Sequence, residues 1–136
     1  MENRNILQYF FDCVTINYAN FRGRSRRKEY WSVILFTFII FILFLTIGDL
    51  FEGQYQQYFF GFFFIAFFLP VLSAGVRRMH DIGKSGTTLL VYFIPVIGGI
   101  WLLVLLSTDS QKSANKHGLN PKNPIIENEL DLIGSE

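Results

Sequence analysis

Residues 58–76 read YFFGFFFIAFFLPVLSAGV, a run without a single Lys, Arg, Asp or Glu. Residues 30–48, YWSVILFTFIIFILFLTIG, and residues 87–106, TTLLVYFIPVIGGIWLLVLL, repeat the pattern on either side of it. At a helical rise of about 1.5 Å per residue, each window makes a helix of roughly 28–30 Å, the hydrocarbon thickness of a bilayer. The chain has 136 residues, of which 51% are hydrophobic and 17% charged, so a soluble fold would have too little polar surface to enclose three helices that are apolar all round. The expected class is therefore an all-α, small polytopic membrane protein with three transmembrane helices and an N-terminal interfacial helix. A single membrane domain over 1–113, with spans at about 30–48, 58–76 and 87–106, would be followed by a polar, flexible tail over 114–136.

The charges excluded from these windows gather between them. Arg4, Arg22, Arg24, Arg26, Arg27 and Lys28 precede the first window, and Arg77, Arg78 and Lys84 follow the second. The loop between the first two windows has Asp49 and Glu52 but no basic residue. Short loops rich in Lys and Arg stay in the cytoplasm, so the N-terminus and the second loop are expected inside and the first loop outside. The segment Met1 to Glu29 does not read as a cleavable leader, because the apolar run after it is longer than a signal-peptide core and lacks a small-residue cleavage pattern; the first span is expected to be retained. For the third window a simple span puts the tail outside. Pro95, Gly98 and Gly99 at its centre would instead suit a re-entrant turn shielded by other helices. The simple span is preferred, because Pro and Gly are common in membrane helices and the window is too short to cross twice.

Upstream, Ile6, Leu7, Phe10, Val14 and Tyr18 recur at helical spacing, which predicts a short helix either lying at the interface or packed on the bundle. Tyr30 and Trp31 form an aromatic pair at the first membrane boundary, where such rings fix helix depth. The candidate lipid- or partner-binding residues are Arg22, Arg24, Arg26, Arg27, Lys28, Arg77, Arg78 and Lys84. Each Lys or Arg near an anionic surface contributes about 1 kcal/mol. Glu29, Tyr30, Trp31, His80, Asp81 and Ser85 are expected to build a structural polar cluster. In it Asp81 stands three and four residues after Arg78 and Arg77, the spacing of intrahelical ion pairs, and Glu29 can pair with an arginine.

Catalytic readings find little footing. Gly83-Lys84-Ser85 resembles the end of a phosphate-binding loop, but Arg78 stands where that motif needs its first glycine and no strand precedes it. A multi-histidine metal site is not available from His80 and His117 alone, and Cys13 is the single cysteine. No enzyme activity, metal or cofactor is therefore expected. Coupled transport is disfavoured by the lack of ionisable residues inside the windows. A basic segment beside a bilayer meets lipid phosphates before nucleic acid, so no nucleic-acid partner is expected.

Taken together, Gly23-Arg24-Ser25-Arg26-Arg27-Lys28-Glu29-Tyr30-Trp31, then Arg77-Arg78-Met79-His80-Asp81-Ile82-Gly83-Lys84-Ser85-Gly86, then Ile94-Pro95-Val96-Ile97-Gly98 resemble the YhaH-like bacterial inner-membrane family, domain-of-unknown-function family 805. The resemblance runs from Tyr18 to Pro121. It implies a small multi-pass protein of the bacterial cytoplasmic membrane and supplies no reaction, substrate or cofactor. The family tail reads roughly Gly-x-Asn-x-aromatic-Gly-x-x-Pro. Here Asn115, Gly118 and Pro121 match, Ala114 replaces the first glycine and His117 the aromatic, and Thr87-Thr88 stand where the family has aromatics. The expected function is non-enzymatic interaction or assembly at the cytoplasmic interface, with anionic lipid or a membrane-protein partner. The alternative is a subunit of a homo-oligomeric channel or small-solute transporter.

Overall fold

The computed structural model describes residues 4–50 and 55–122. Glu52 of the expected outer loop and Glu127, Glu129, Asp131 and Glu136 of the tail lie outside the described residues. Among the described residues four α-helices run in the order α1 (Ile6–Val14), α2 (Arg27–Leu50), α3 (Gln56–Asp81) and α4 (Ile97–Ser107), with a 3-10 helix, Gly86–Phe93, between α3 and α4. Among the described residues the only strand-like pairing is an isolated bridge between Asn115 and Gly118. The chain forms two compact units, Met1–Asn20 with Trp31–Ser73, and Phe21–Tyr30 with Ala74–Glu136.

Aromatic rings hold the first unit together. Phe41 lies 5.7 Å from Phe60 and 5.1 Å from Phe63, and Phe44 lies 5.8 Å from Phe59 and 6.0 Å from Phe62, all between ring centroids. Such offset and tilted pairs each add about 0.5–1.5 kcal/mol beyond area burial. Helix α1 packs in this unit through buried Phe10 and Cys13, while Ile6, Leu7 and Phe11 on its other side are exposed. The Phe10 ring sits 5.3 Å from Phe36 and 6.5 Å from Phe67.

Pro70 lies inside α3 and has no N–H to give to the carbonyl of Ala66, four residues earlier. The Tyr18 hydroxyl supplies the missing donor, reaching the Ala66 carbonyl at 3.0 Å and that of Ile65 at 3.3 Å. The Pro70 carbonyl accepts from Cys13 Sγ at 3.5 Å and Ser73 Oγ at 3.0 Å. In an apolar surrounding a bare carbonyl is costly, so the segment after α1 is tied to α3 at the one place where the helix cannot satisfy itself.

In the second unit α3 ends in a Schellman turn. Gly83 N–H bonds the His80 carbonyl at 3.0 Å and Lys84 N–H the Met79 carbonyl at 2.9 Å, with Gly83 at φ 75°, a conformation that glycine adopts without strain. Ser85 then starts the 3-10 helix, its hydroxyl accepting from Thr87 N–H at 3.4 Å and Thr87 Oγ1 at 3.0 Å.

The third continuous span expected from the sequence does not form. The 3-10 helix stops at Phe93, the chain reverses at Ile94-Pro95-Val96, and α4 packs back against it. Val96 adopts φ 64° and ψ −59°, and Ile97 N–H bonds the Pro95 carbonyl at 2.7 Å, a three-residue γ-turn. Gly98 makes the reversal feasible, because a Cβ there would collide with the Val91 carbonyl. Among the described residues two helices, Arg27–Leu50 and Gln56–Asp81, remain long and apolar enough to cross a membrane.

Candidate functional site

The densest polar structure belongs to the second unit and centres on Asp81, the last residue of α3. Its carboxylate is fully buried. One oxygen accepts from Arg24 Nε at 3.1 Å; the other accepts from Arg78 Nη1 at 2.5 Å and from Ser110 Oγ at 2.5 Å. The backbone carbonyl of Asp81 takes Gln111 N–H at 3.0 Å. Two guanidinium groups on one buried carboxylate offset its desolvation.

Arg24 uses all five of its N–H donors. Besides Asp81 Oδ1 it reaches the carbonyls of Asp81 at 3.3 Å, Gln111 at 2.5 Å, Ser113 at 3.0 Å and Gly118 at 3.2 Å. Only a planar fork with fixed donor directions can gather four carbonyls and a carboxylate in this way. The segment that follows α4 therefore wraps the Arg24 head group, whose side chain is 2% exposed.

Arg78 closes the end of α4. Its Nε donates to the Leu106 carbonyl at 3.0 Å and its Nη2 to the Thr108 carbonyl, while Arg27 Nη1 donates to the Ser107 carbonyl at 3.3 Å. These carbonyls belong to the last turn of a helix, which has no internal donors for them and carries partial negative charge. Arg77, the neighbour of Arg78, pairs with Glu29 at 2.5 Å, with both side chains largely buried. The Arg77 carbonyl also accepts Ser25 N–H at 3.1 Å. The ion pairs expected from spacing thus divide: Asp81 takes Arg78 at i,i+3, and Arg77 goes to Glu29.

His80 and His117 stack face to face, with ring centroids 3.6 Å apart and planes 6° from parallel. His80 Nδ1 lies 3.2 Å from the Gly23 carbonyl, which only accepts, so this nitrogen carries the proton. Asn115 Nδ2 donates to the His80 carbonyl at 3.0 Å, and Asn115 Oδ1 accepts His117 N–H at 2.9 Å. His117 is thus held by Asn115 through its backbone N–H while its ring lies on His80. Its pKa is held below the usual histidine range, first by burial and then by the positive charges near it on His80, Lys116 and Arg24. Asp109, on the exterior, is pulled below the usual carboxylate range by hydrogen bonds from Lys122 and from Ser110 N–H.

Lys28 and Lys84 are exposed, as are Arg22 and Arg27, and Arg27 also pairs with exposed Asp109 at 3.2 Å; Arg26 is half-buried. Ser85 caps the 3-10 helix, and Trp31 belongs to the first unit. Tyr30 is buried, its ring beside Gly75. Sequence reasoning missed Ser110, Gln111, Asn115 and the wrap around Arg24. The available signal was the spacing of Asn115, Gly118 and Pro121, which marks a shaped turn without saying what it encloses. Residues 109–122, expected in part to be mobile, are packed, with Asn120 buried and its Nδ2 on the Lys112 carbonyl at 2.9 Å.

Three donors already occupy the Asp81 carboxylate, and among the described residues no group of three or more His, Cys, Asp or Glu side chains is placed to hold a metal ion. The arrangement can fix chain segments and balance buried charge.

The chain is 40% identical over 106 residues to the inner membrane protein YhaI of Escherichia coli K12, covering 78% of this chain and 89% of the relative. It is 36% identical over 110 residues to the inner membrane protein YhaH of the same organism, covering 78% and 90%. No solved structure matches it. The family model described as protein of unknown function (DUF805) matches residues 18–119, a stretch that holds Arg24, Arg77, Arg78, Asp81 and the wrapped turn; no enzymatic family is indicated, and this chain belongs to the DUF805 family, whose relatives here are inner membrane proteins.

Proposed function

We propose that the protein is a non-enzymatic, multi-pass component of the bacterial inner membrane, with its N-terminus and Asp81 network on the cytoplasmic side, and that it engages anionic lipid headgroups there. The observation that supports this reading is how the cations of the second unit divide. Arg24, Arg77 and Arg78 are buried on carboxylates and carbonyls, whereas Lys28, Lys84, Lys112 and Lys116 are exposed together with Arg22 and Arg27. The buried three act as a clamp. The exposed residues supply the charge that a negative surface attracts, at about 1 kcal/mol each and within a Debye length. The excess of Lys and Arg around the first and second spans supports the cytoplasmic orientation.

The test is native mass spectrometry of the full chain released in gentle detergent from membranes containing phosphatidylglycerol. The wild type is compared with a Lys28→Gln/Lys84→Gln/Lys112→Gln variant. Retained anionic lipid in the wild type, lost in the variant at an unchanged melting temperature, is the expected result. Equal retention in both would remove the headgroup role. A defined homo-oligomer without lipid dependence would turn attention to assembly or a pore.

A further inference from the structure

The segment between Ser85 and Thr108 has no charged side chain, yet both of its ends return to the same few residues. It leaves directly after the Schellman turn that closes α3, where Lys84 N–H is bonded to the Met79 carbonyl. It comes back with Arg78 on the Leu106 and Thr108 carbonyls and Ser110 on Asp81. A straight membrane helix would put those ends about 30 Å apart. The lengths of the two arms agree with each other. The 3-10 helix has 8 residues, about 16 Å at its rise of about 2.0 Å. Helix α4 has 11 residues, about 16 Å at about 1.5 Å. Each arm reaches about half the depth of a hydrocarbon core.

We infer that Gly86–Ser107 is a re-entrant hairpin seated in one leaflet, with lipid acyl chains as the partner of its outer surface, so that the residues after Ser107 return to the membrane face that carries Arg78 and Asp81. Phe93, Val96, Ile97, Ile100, Leu103 and Val104 are each more than half exposed, an apolar surface that a water-facing domain does not display. Most of the N–H groups at the tip are satisfied within the hairpin. Ile94 N–H bonds the Val91 carbonyl, Ile97 N–H the Pro95 carbonyl and Gly98 N–H the Ile94 carbonyl, while Pro95 has no N–H to satisfy. The arginine fork on the carbonyls of the returning helix holds it at headgroup level, where a charged side chain is tolerated. The choice of leaflet, though not the hairpin itself, rests on the cytoplasmic placement proposed above.

Single cysteines introduced into the full chain on a Cys13→Ser background test the inference in intact cells and inverted vesicles. Ser85→Cys and Ser113→Cys are expected to react with a membrane-impermeant maleimide from the same side. Val96→Cys is expected to resist that reagent from both sides and, when spin-labelled, to report collision with oxygen rather than with a water-soluble nickel chelate. Phe93→Cys gives the same readout should Val96→Cys fail to accumulate. Labelling of positions 85 and 113 from opposite sides would overturn the hairpin, as would reaction of position 96 from the far side. Efficient cross-linking of position 96 between two chains would replace acyl chains with a second copy as the occupant and overturn the assignment. If 85 and 113 both react from outside, the hairpin stands and the cytoplasmic placement fails.

Discussion

The two units solve the same problem, a lack of water inside, by opposite means. The first relies on many interchangeable contacts: rings of Phe41, Phe44, Phe59, Phe62 and Phe63 at centroid separations of 5.1–6.0 Å, none of them dependent on one orientation. The second relies on three arginines, each directed at buried carboxylates or carbonyls. A surface of rings loses a little when one ring shrinks. A saturated polar network loses much when one member goes, because its partners are then left buried and unpaired.

That contrast is broken most directly at Arg78. Replacing it in Arg78→Met leaves Asp81 with one guanidinium and the Leu106 and Thr108 carbonyls bare, and should cost about 3–5 kcal/mol. Phe44→Leu in the first unit should cost less than about 1.5 kcal/mol. Both are read from denaturation in a fixed detergent, and near-equal losses would show that the two units do not differ in this respect. Next comes Gly98→Ala, which pushes a methyl group into the Val91 backbone and should cost about 1–3 kcal/mol while opening residues 94–98 to amide exchange. Tyr18→Phe, removing only the hydroxyl that serves the Ala66 carbonyl beside Pro70, should cost about 1 kcal/mol. It would thereby show a point where the aromatic unit depends on a specific hydrogen bond.

The smallest effect concerns acid. The folded His117 has a pKa below the usual value of about 6.5, so the unfolded tail binds more protons than the folded one. The contribution of this residue is present above about pH 6.5 and is lost as pH falls through the lowered folded value. Amide protection factors over residues 111–118, taken against the intrinsic exchange rate at each pH, should therefore be lower at pH 5.5 than at pH 7.5. His117→Phe, which restores the aromatic of the family tail, should keep a ring on His80 and weaken that dependence. Identical pH responses in the two proteins would mean that the stack does not titrate in this range.

Much of the site was legible in part. The spacing of Arg78 and Asp81 predicted their pair, and Glu29 was expected to meet an arginine; the structure supplies Arg77 for it. Arg24 reads from the sequence as one of the lipid-facing cations, because a basic run next to a membrane gives no sign of which member turns inward. Helix α1 was expected either at the interface or on the bundle. Buried Phe10 and Cys13 put one side of it on the first unit.

The sequence by itself determined where charge is excluded, and with it the helices Arg27–Leu50 and Gln56–Asp81, because local composition and length are enough to decide whether a segment can sit in hydrocarbon. The fate of 87–106 needed the tertiary structure. A proline and two glycines are compatible with both a kinked span and a reversal, and the choice depends on whether distant groups satisfy the returning end. Arg27 and Arg78 bind the Ser107, Leu106 and Thr108 carbonyls, and Gly98 admits the Val91 carbonyl. The arginine contacts join residues 28 to 80 positions apart in the chain, and no local pattern encodes them.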